Sequence, residues 1–181
     1  MDNQELTFVP AHQLARLITD RQISSVELTE FFLRRIEQIN PIINSYLTVD
    51  GDQALLHASQ ADQLVEDKIK SGPFHGVPIG IKDLTETAGL RTTFGSKIYE
   101  DYVPTEDDLT ASRIRKSGAI ILGKTNTPEF GHSATTENML GDACRNPWDI
   151  SKTAGGSSGG ATAGLASGLH QLQPAATVVV Q

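Results

Sequence analysis

The stretch Val77-Pro-Ile-Gly-Ile-Lys-Asp83 and the region that follows it decide the fold. Apolar residues alternate with proline and glycine from Val77 to Ile81, as in a short buried strand, and Lys82-Asp83 comes where that strand would end. Residues 105–117 have a helical pattern, and Ala119-Ile-Ile-Leu122 is a second apolar run of strand length. Strand, helix and strand in this order predict a parallel βαβ unit and therefore an α/β fold.

Three helices are predicted before this unit. The first covers residues 10–21. The second begins at Ser24, where Glu27 completes a capping-box pattern, and is expected to end at Asn40-Pro41. The third covers residues 52–70, and its apolar stripe is expected to be buried as far as Ile69.

The composition excludes several classes of protein. A chain of 181 residues with 38% hydrophobic content is long enough for one globular domain. The net charge is −7 and the basic residues are scattered among acidic ones, so a nucleic-acid partner is not expected. No apolar run approaches the ~20 residues of a membrane span, and the first ten residues contain no apolar leader core. Membrane association is therefore not expected, and a cytoplasmic location is predicted.

The sequence contains no recognisable metal-binding pattern. Its single cysteine, Cys144, cannot form an intrachain disulfide, and no histidine or cysteine pair has zinc-ligand spacing. The five histidines are dispersed and are interpreted as surface or hydrogen-bonded residues, namely His12, His57, His75, His132 and His170. No metal site is predicted.

The densest local feature is Thr153-Ala-Gly-Gly-Ser-Ser-Gly-Gly-Ala-Thr-Ala-Gly164, a glycine- and serine-rich loop that runs into a stretch with helical potential. One interpretation is a flexible linker. The other is a loop whose small side chains let the backbone approach a substrate at a helix N-terminus. A phosphate-binding P-loop is excluded, because that motif needs Gly-Lys-Ser/Thr where this chain has Gly160-Ala-Thr162.

Lys82 is a second point of interest. A lysine is ordinarily an exposed, solvated cation. At the end of a buried strand, however, desolvation would lower its pKa and allow it to act as a base near pH 7.

Four blocks of the sequence resemble successive blocks of the amidase-signature family, in the family's order and at its approximate spacing. They are Gly76–Asp83, Gly123–Phe130, Asn146–Asp149 and Ala154–Gly160. The resemblance extends to about Leu172. It implies an α/β/α fold with a mixed central sheet and hydrolysis of small-molecule carboxylic amides to an acid plus ammonia or an amine. It implies no metal and no organic cofactor.

The resemblance also implies a Ser–cis-Ser–Lys triad. It assigns Lys82 as the base and Ser157 as the cis-serine, which would relay a proton from the nucleophilic serine to Lys82. The cis peptide would be the bond between Gly156 and Ser157. Supporting positions are Ser158 and the backbone of Gly155 and Gly156, with Asp83 and Thr153 expected to have structural roles.

The chain departs from the family at the nucleophile. The family's nucleophilic serine ends a block resembling Gly-Ser-Asp-Gly-Gly-Gly-Ser, whereas here Gln181 occupies that position and the preceding residues contain no glycine. The codons for residues 173–181, read in a frame shifted by one base, can spell Ala-Gly-Ser-Asp-Gly-Gly-Gly-Ser. We therefore expect residues 1–172 to be the N-terminal part of a single amidase domain and residues 173–181 to be an out-of-frame tail.

Three functional interpretations follow from these features. The first is an amidase that is inactive as written, because the nucleophile is missing. The second is a fragment of the A subunit of a glutamyl-tRNA amidotransferase, which shares the same blocks. The third is a non-catalytic remnant or interaction protein.

Overall fold

A mixed three-stranded sheet lies at the centre of the chain, in a computed structural model that describes residues 5–69 and 72–172. Its strands are β1 (Tyr46–Val49), β2 (Pro78–Lys82) and β3 (Ile120–Thr125), in the order β1-β3-β2. β2 runs parallel to β3, and β1 runs antiparallel to it. The predicted βαβ unit, the α/β fold and the mixed sheet are confirmed.

Five α-helices and one hairpin surround this sheet within the described residues. The helices are α1 (Ala11–Thr19), α2 (Ser25–Ile43), α3 (Gly51–Glu66), α4 (Leu109–Lys116) and α5 (Gly159–Ala166). The hairpin consists of β4 (Arg145–Asn146) and β5 (Asp149–Thr153), and short 3-10 turns cover Glu5–Phe8, Lys97–Tyr99 and Glu129–Gly131. Helix α3 packs on α2 and β3, while α5 packs on β2 and β3.

Helix α2 begins as predicted but ends later. The Ser24 hydroxyl accepts a hydrogen bond from the Glu27 N–H at 3.0 Å, and the Glu27 carboxylate accepts one from the Ser24 N–H at 2.9 Å. The helix continues through Pro41 to Ile43, where Asn44 adopts a left-handed conformation and ends it. Pro41 is tolerated because, in the last turn, it removes only one helical hydrogen bond.

Two other predicted helix boundaries are also corrected. Helix α3 ends at Glu66 and not at residue 70, so Ile69 lies outside it and is 53% exposed. Helix α4 begins at Leu109, because the Asp108 carboxylate caps it by accepting the Ala111 N–H at 2.7 Å.

The core is unusual in its polar content. β2 and β3 are buried along their whole lengths, as expected for strands covered on both faces. Besides Phe32, the largest fully buried side chains include two lysines, Lys82 and Lys124. Each buried ammonium must be compensated by hydrogen bonds or by opposite charge, so the surroundings of these two lysines organise the end of the sheet.

Helix α5 is seated directly against the ends of β1 and β3. The Gly160 N–H donates to Asn126 O at 3.2 Å, and the Ser45 hydroxyl donates to Gly160 O at 2.7 Å. A Cβ atom added at Gly160 would lie 2.3 Å from Asn126 N and 2.5 Å from Ser45 O. Only glycine therefore allows this approach, which brings the glycine-rich loop to the sheet.

The predicted out-of-frame tail, residues 173–181 with Gln181, lies outside the described residues. Across the part of the chain that the structure does describe, no helix combines the length and the apolar character needed to cross a bilayer.

We expect Gly160→Ala to destabilise the fold by about 1–3 kcal/mol, because backbone atoms must move to admit the methyl group. The matched control is Gly141→Ala, since nothing lies within 4 Å of a Cβ added there. Thermal unfolding should show a lower midpoint for the Gly160 variant alone. Equal midpoints for the two variants would contradict the close seating of α5.

Candidate active site

Lys82 and Ser157 meet at the carboxyl end of β2. Lys82 is 1% exposed, and its Nζ donates to the hydroxyl oxygens of Ser157 and Ser158, both at 2.9 Å. Ser157 is itself 2% exposed, and the loop that carries it leads directly into α5. The predictions that the lysine and the serine come together, and that the loop precedes a helix, are confirmed.

Burial changes the acid–base behaviour of Lys82. Loss of hydration lowers its pKa to about 8, from an ordinary value of 10.5. Ser157 and Ser158 are hydroxyl partners that can donate a proton as well as accept one. This arrangement allows Lys82 to exchange a proton with a serine near neutral pH.

The loop around Ser157 has the predicted backbone. The peptide bond between Gly156 and Ser157 is cis. Gly156 lies against the preceding segment, where an added Cβ would be 2.7 Å from Ser133 O. A side chain at position 156 would therefore push the loop away from its support.

Two threonines hold this loop in place. The buried Thr136 hydroxyl donates to Gly155 O at 2.7 Å and accepts the Gly159 N–H at 3.1 Å, so it joins the two ends of the loop. The buried Thr127 hydroxyl donates to Ser157 O at 3.2 Å. Both contacts fix the Ser157 backbone relative to the sheet.

Asp83 and Thr153, the remaining positions predicted from the sequence, bind groups other than Lys82 and Ser157 in the contacts described here. The fully buried Asp83 carboxylate accepts the Thr93 N–H at 3.0 Å and also the Thr93 hydroxyl. Burial raises the pKa of Asp83, while the Thr93 hydrogen bonds and the Lys124 charge oppose the rise. The exposed Thr153 hydroxyl accepts the Gly155 N–H at 3.2 Å, within the loop itself. These contacts support structural roles for Asp83 and Thr153.

A cleft lies along the segment around Gly131, which approaches Ser157. A Cβ added at Gly131 would be 3.9 Å from Ser157 Oγ, and residues on either side of Gly131 line a cleft of about 560 Å³. A larger cavity of about 710 Å³ lies between α1 and the segment after α3. The described linings of both cavities lack Lys82, Ser157 and Ser158, so the smaller cleft is related to the pair only through Gly131, which lies between its lining residues and approaches Ser157.

Two of the five histidines are buried and make hydrogen-bond contacts, as the sequence interpretation allowed. His170 is buried, with Nδ1 at 2.6 Å from the Tyr46 hydroxyl, and His75 Nε2 lies 3.0 Å from Ala61 O. Cys144 is a buried free thiol. Among residues 5–69 and 72–172, no three His, Cys, Asp or Glu side chains are grouped so that they could hold a metal ion.

A model of the Amidase family matches residues 27–174. The chain belongs to the Amidase family. It is 41% identical over 166 residues to the A subunit of the glutamyl-tRNA(Gln) amidotransferase of Geobacter sp. strain M21, covering 90% of this chain and 33% of that protein. It is 40% identical over 172 residues to an acylamidase of Rhodococcus erythropolis, covering 95% of this chain and 36% of that protein.

A solved structure supports the same membership. A bacterial aryl acylamidase of the amidase-signature family superposes with a TM-score of 0.85 at 30% identity, covering 90% of this chain and 34% of that one. The predicted amidase-signature α/β fold is confirmed. This member of the Amidase family spans about a third of the length of the curated relatives it matches.

Sequence reasoning missed two residues that hold the loop of this amidase-family site. Thr127 lies in the block Gly123–Phe130, but its spacing gives no indication of what it contacts. Thr136 lies in no block, and its role follows only from the chain folding back on the loop.

The pKa of Lys82 predicts a pH-dependent stability. Between its folded value of about 8 and the ordinary value of 10.5, the unfolded chain binds the Lys82 proton and the folded chain does not. The free energy of unfolding should therefore rise with pH across this interval. Urea denaturation at pH 7.5 and 10 should show a smaller rise for Lys82→Met than for the unchanged chain.

The exposed Lys116 provides the control for this experiment, since Lys116→Met should keep the full rise. Some rise should persist in Lys82→Met, because burial also lowers the pKa of Lys124 to about 8. An identical rise in Lys82→Met and the unchanged chain would show that Lys82 is not desolvated.

Thr136→Val should lower the free energy of unfolding by about 1–3 kcal/mol, because Gly155 O and the buried Gly159 N–H both lose their partner. Thr162→Val removes a hydroxyl of the same kind from an exposed position on α5 and should have a smaller effect. Guanidinium denaturation measures both variants. The reverse order of effects would contradict the role given to Thr136.

Proposed function

We propose that the described residues are the amine-and-hydroxyl part of an amide-hydrolysing site. The observation that carries the proposal is the buried Lys82 amine at 2.9 Å from Ser157 Oγ. Membership of the Amidase family supports a reaction at a carbon–nitrogen bond. The acylamidase and aryl acylamidase relatives are consistent with small amides as substrates.

In the proposed mechanism Lys82, in its neutral form, accepts the Ser157 hydroxyl proton. Ser157 in turn accepts a proton from a nucleophilic serine, whose oxygen attacks the amide carbonyl and forms a tetrahedral adduct. The proton then returns through Ser157 to the leaving nitrogen, the carbon–nitrogen bond breaks and an acyl-enzyme remains. Water, deprotonated by the same route, releases the acid and regenerates the serine.

The nucleophilic serine is the part of this mechanism that the sequence does not supply. Gln181 occupies its expected position, and a carboxamide cannot form the acyl-enzyme. We propose that residues 1–172 belong to a single amidase domain and that residues 173–181 are out of frame. The chain as written should then be inactive, and its cytoplasmic location stays a prediction.

A role as the A subunit of a glutamyl-tRNA amidotransferase is the second candidate function. The observation that supports it is the 41% identity to the Geobacter protein. The 40% identity to the acylamidase is nearly equal, so sequence identity does not separate the two candidates. Such a protein would use glutamine as its amide and would act with partner subunits. Genes for those subunits beside this one would favour the second candidate. Turnover of benzamide without partners, by a protein whose reading frame is repaired near codon 173, would favour the first.

Inserting one base near codon 173, with the reading frame extended to its next stop, should restore amide hydrolysis. The insertion returns the serine and its glycine-rich surroundings together. Ammonia release from acetamide and benzamide is the measurement, and the chain as written should show none.

Variants of the repaired protein test the assigned roles. Lys82→Ala and Ser157→Ala should each abolish most of the activity, since members of such a unit act together. Lys116→Ala changes an exposed lysine and should leave activity unchanged. Hydrolysis by the unrepaired chain that depends on Ser157 would overturn the proposal, and Ser158 would become the first alternative nucleophile.

A further inference from the structure

The second buried lysine, Lys124, lies one strand away from Lys82. In the register of β2 and β3, Lys124 is level with Ile81, and Lys82 is level with Thr125. Because side chains alternate along a strand, the two lysines point to opposite faces of the sheet. Lys82 faces the glycine-rich loop, whereas Lys124 faces the turn that follows Lys82 in sequence.

Lys124 makes three hydrogen bonds to that turn. Its Nζ contacts Thr85 O, lies 3.2 Å from Thr87 Oγ1 and lies 3.0 Å from Thr92 Oγ1. Lys124, Thr87 and Thr92 are all fully buried.

The threonine partners reveal the protonation state of Lys124. The Thr87 hydroxyl donates its proton to Thr85 O at 3.0 Å, and the Thr92 hydroxyl donates its proton to Leu90 O at 3.0 Å. Each hydroxyl can therefore only accept from Lys124, and the carbonyl of Thr85 also only accepts. Three donated hydrogen bonds match the three N–H groups of an ammonium, whereas a neutral amine has only two.

Four carboxylates oppose the loss of this ammonium's proton, with Asp83 contributing most, followed by Asp108, Glu86 and Asp107. Asp83 and Lys124 interact electrostatically, and each favours the ionised form of the other. The Asp83 carboxylate binds Thr93, while the Asp83 backbone accepts the Phe94 N–H at 3.0 Å and donates to Thr125 O at 3.1 Å. The residue directly after Lys82 is thus fixed to both the turn and the neighbouring strand.

We propose that Lys124 is a positioning residue for the Lys82–Ser157 pair, acting as a protonated clamp that, together with Asp83, holds residues 85–94 against the end of β2. The two lysines then have separate tasks. Lys82, bound to serine hydroxyls, can exchange its proton with them. Lys124, bound by three acceptors, keeps its proton near neutral pH and fixes the backbone from which Lys82 extends. The catalytic meaning of this clamp rests on the proposed function, but its existence does not.

The test measures how well Lys82 is protected in the 181-residue chain. A water-soluble acylating reagent is applied over a pH series, and mass spectrometry follows the acylation of each lysine. Hydrogen exchange of the peptide covering residues 83–95 is recorded in parallel. In the unchanged chain Lys82 should react slowly because it is buried, with a pH midpoint near 8.

In Lys124→Met the turn loses three hydrogen bonds and Asp83 loses its counter-charge. Exchange across residues 83–95 should accelerate by about tenfold or more, since the local opening becomes easier. Lys82 should react faster, and its pH midpoint should move toward 10.5 as water reaches it. Lys116→Met, on the exposed surface of α4, should match the unchanged chain in all three readouts.

Two further variants separate positioning from general stability. Leu28→Ala opens a cavity in the core beneath helix α2 and should lower the unfolding midpoint without changing the pH midpoint of Lys82. Asp83→Asn/Lys124→Met removes both charges, so it should fold even where Lys124→Met does not, with the turn still exchanging faster than in the unchanged chain.

Unchanged exchange of residues 83–95 and an unchanged Lys82 midpoint in either Lys124 variant would overturn the clamp. If the pH midpoint of Lys82 acylation shifts in Lys124→Met but the frame-repaired protein hydrolyses no amide, the clamp is supported and the proposed function is refuted. The two ideas can therefore fail separately.

Discussion

The structure depends on the burial of an amine at the end of a parallel strand. Lys82 is placed where β2 ends beneath the glycine-rich loop, and a lysine there is unfavourable unless its Nζ is hydrogen-bonded. Ser157 and Ser158 provide that hydrogen bonding, and both hydroxyls reach the same nitrogen from the loop that leads into α5. Desolvation then lowers the pKa of Lys82, which is the property that a base working near neutral pH requires.

The two buried lysines differ in their hydrogen-bond partners, and this difference gives one a structural role and the other a reactive amine. Lys124 has a carboxylate, Asp83, in its electrostatic environment and donates to acceptors whose own protons are already engaged. The described partners of Lys82 include serine hydroxyls, which can pass protons in either direction. Burial alone affects both amines in the same direction, so the difference in role arises from the groups that surround them.

Local patterns predicted the parts of the fold and site that depend on nearby residues. The capping box at Ser24, the strand before Lys82 and the loop before α5 are short-range features, and the structure contains them. Strand β1 was missed because its four residues pair with β3, far away in the sequence. The supporting contacts of Thr136 and Lys124 were missed for the same reason, since they depend on how the chain returns to the sheet.

The central claim is that Lys82 and Ser157 belong to an amide-hydrolysing site whose nucleophile is encoded just beyond the described residues. Without a nucleophilic serine, the Lys82–Ser157 pair would have no group to deprotonate for attack on an amide. The most direct measurement is the nucleotide sequence from codon 173 onward. The account predicts that the shifted frame spells Ala-Gly-Ser-Asp-Gly-Gly-Gly-Ser and continues as Amidase-family sequence, and a shifted frame that encodes neither would contradict it.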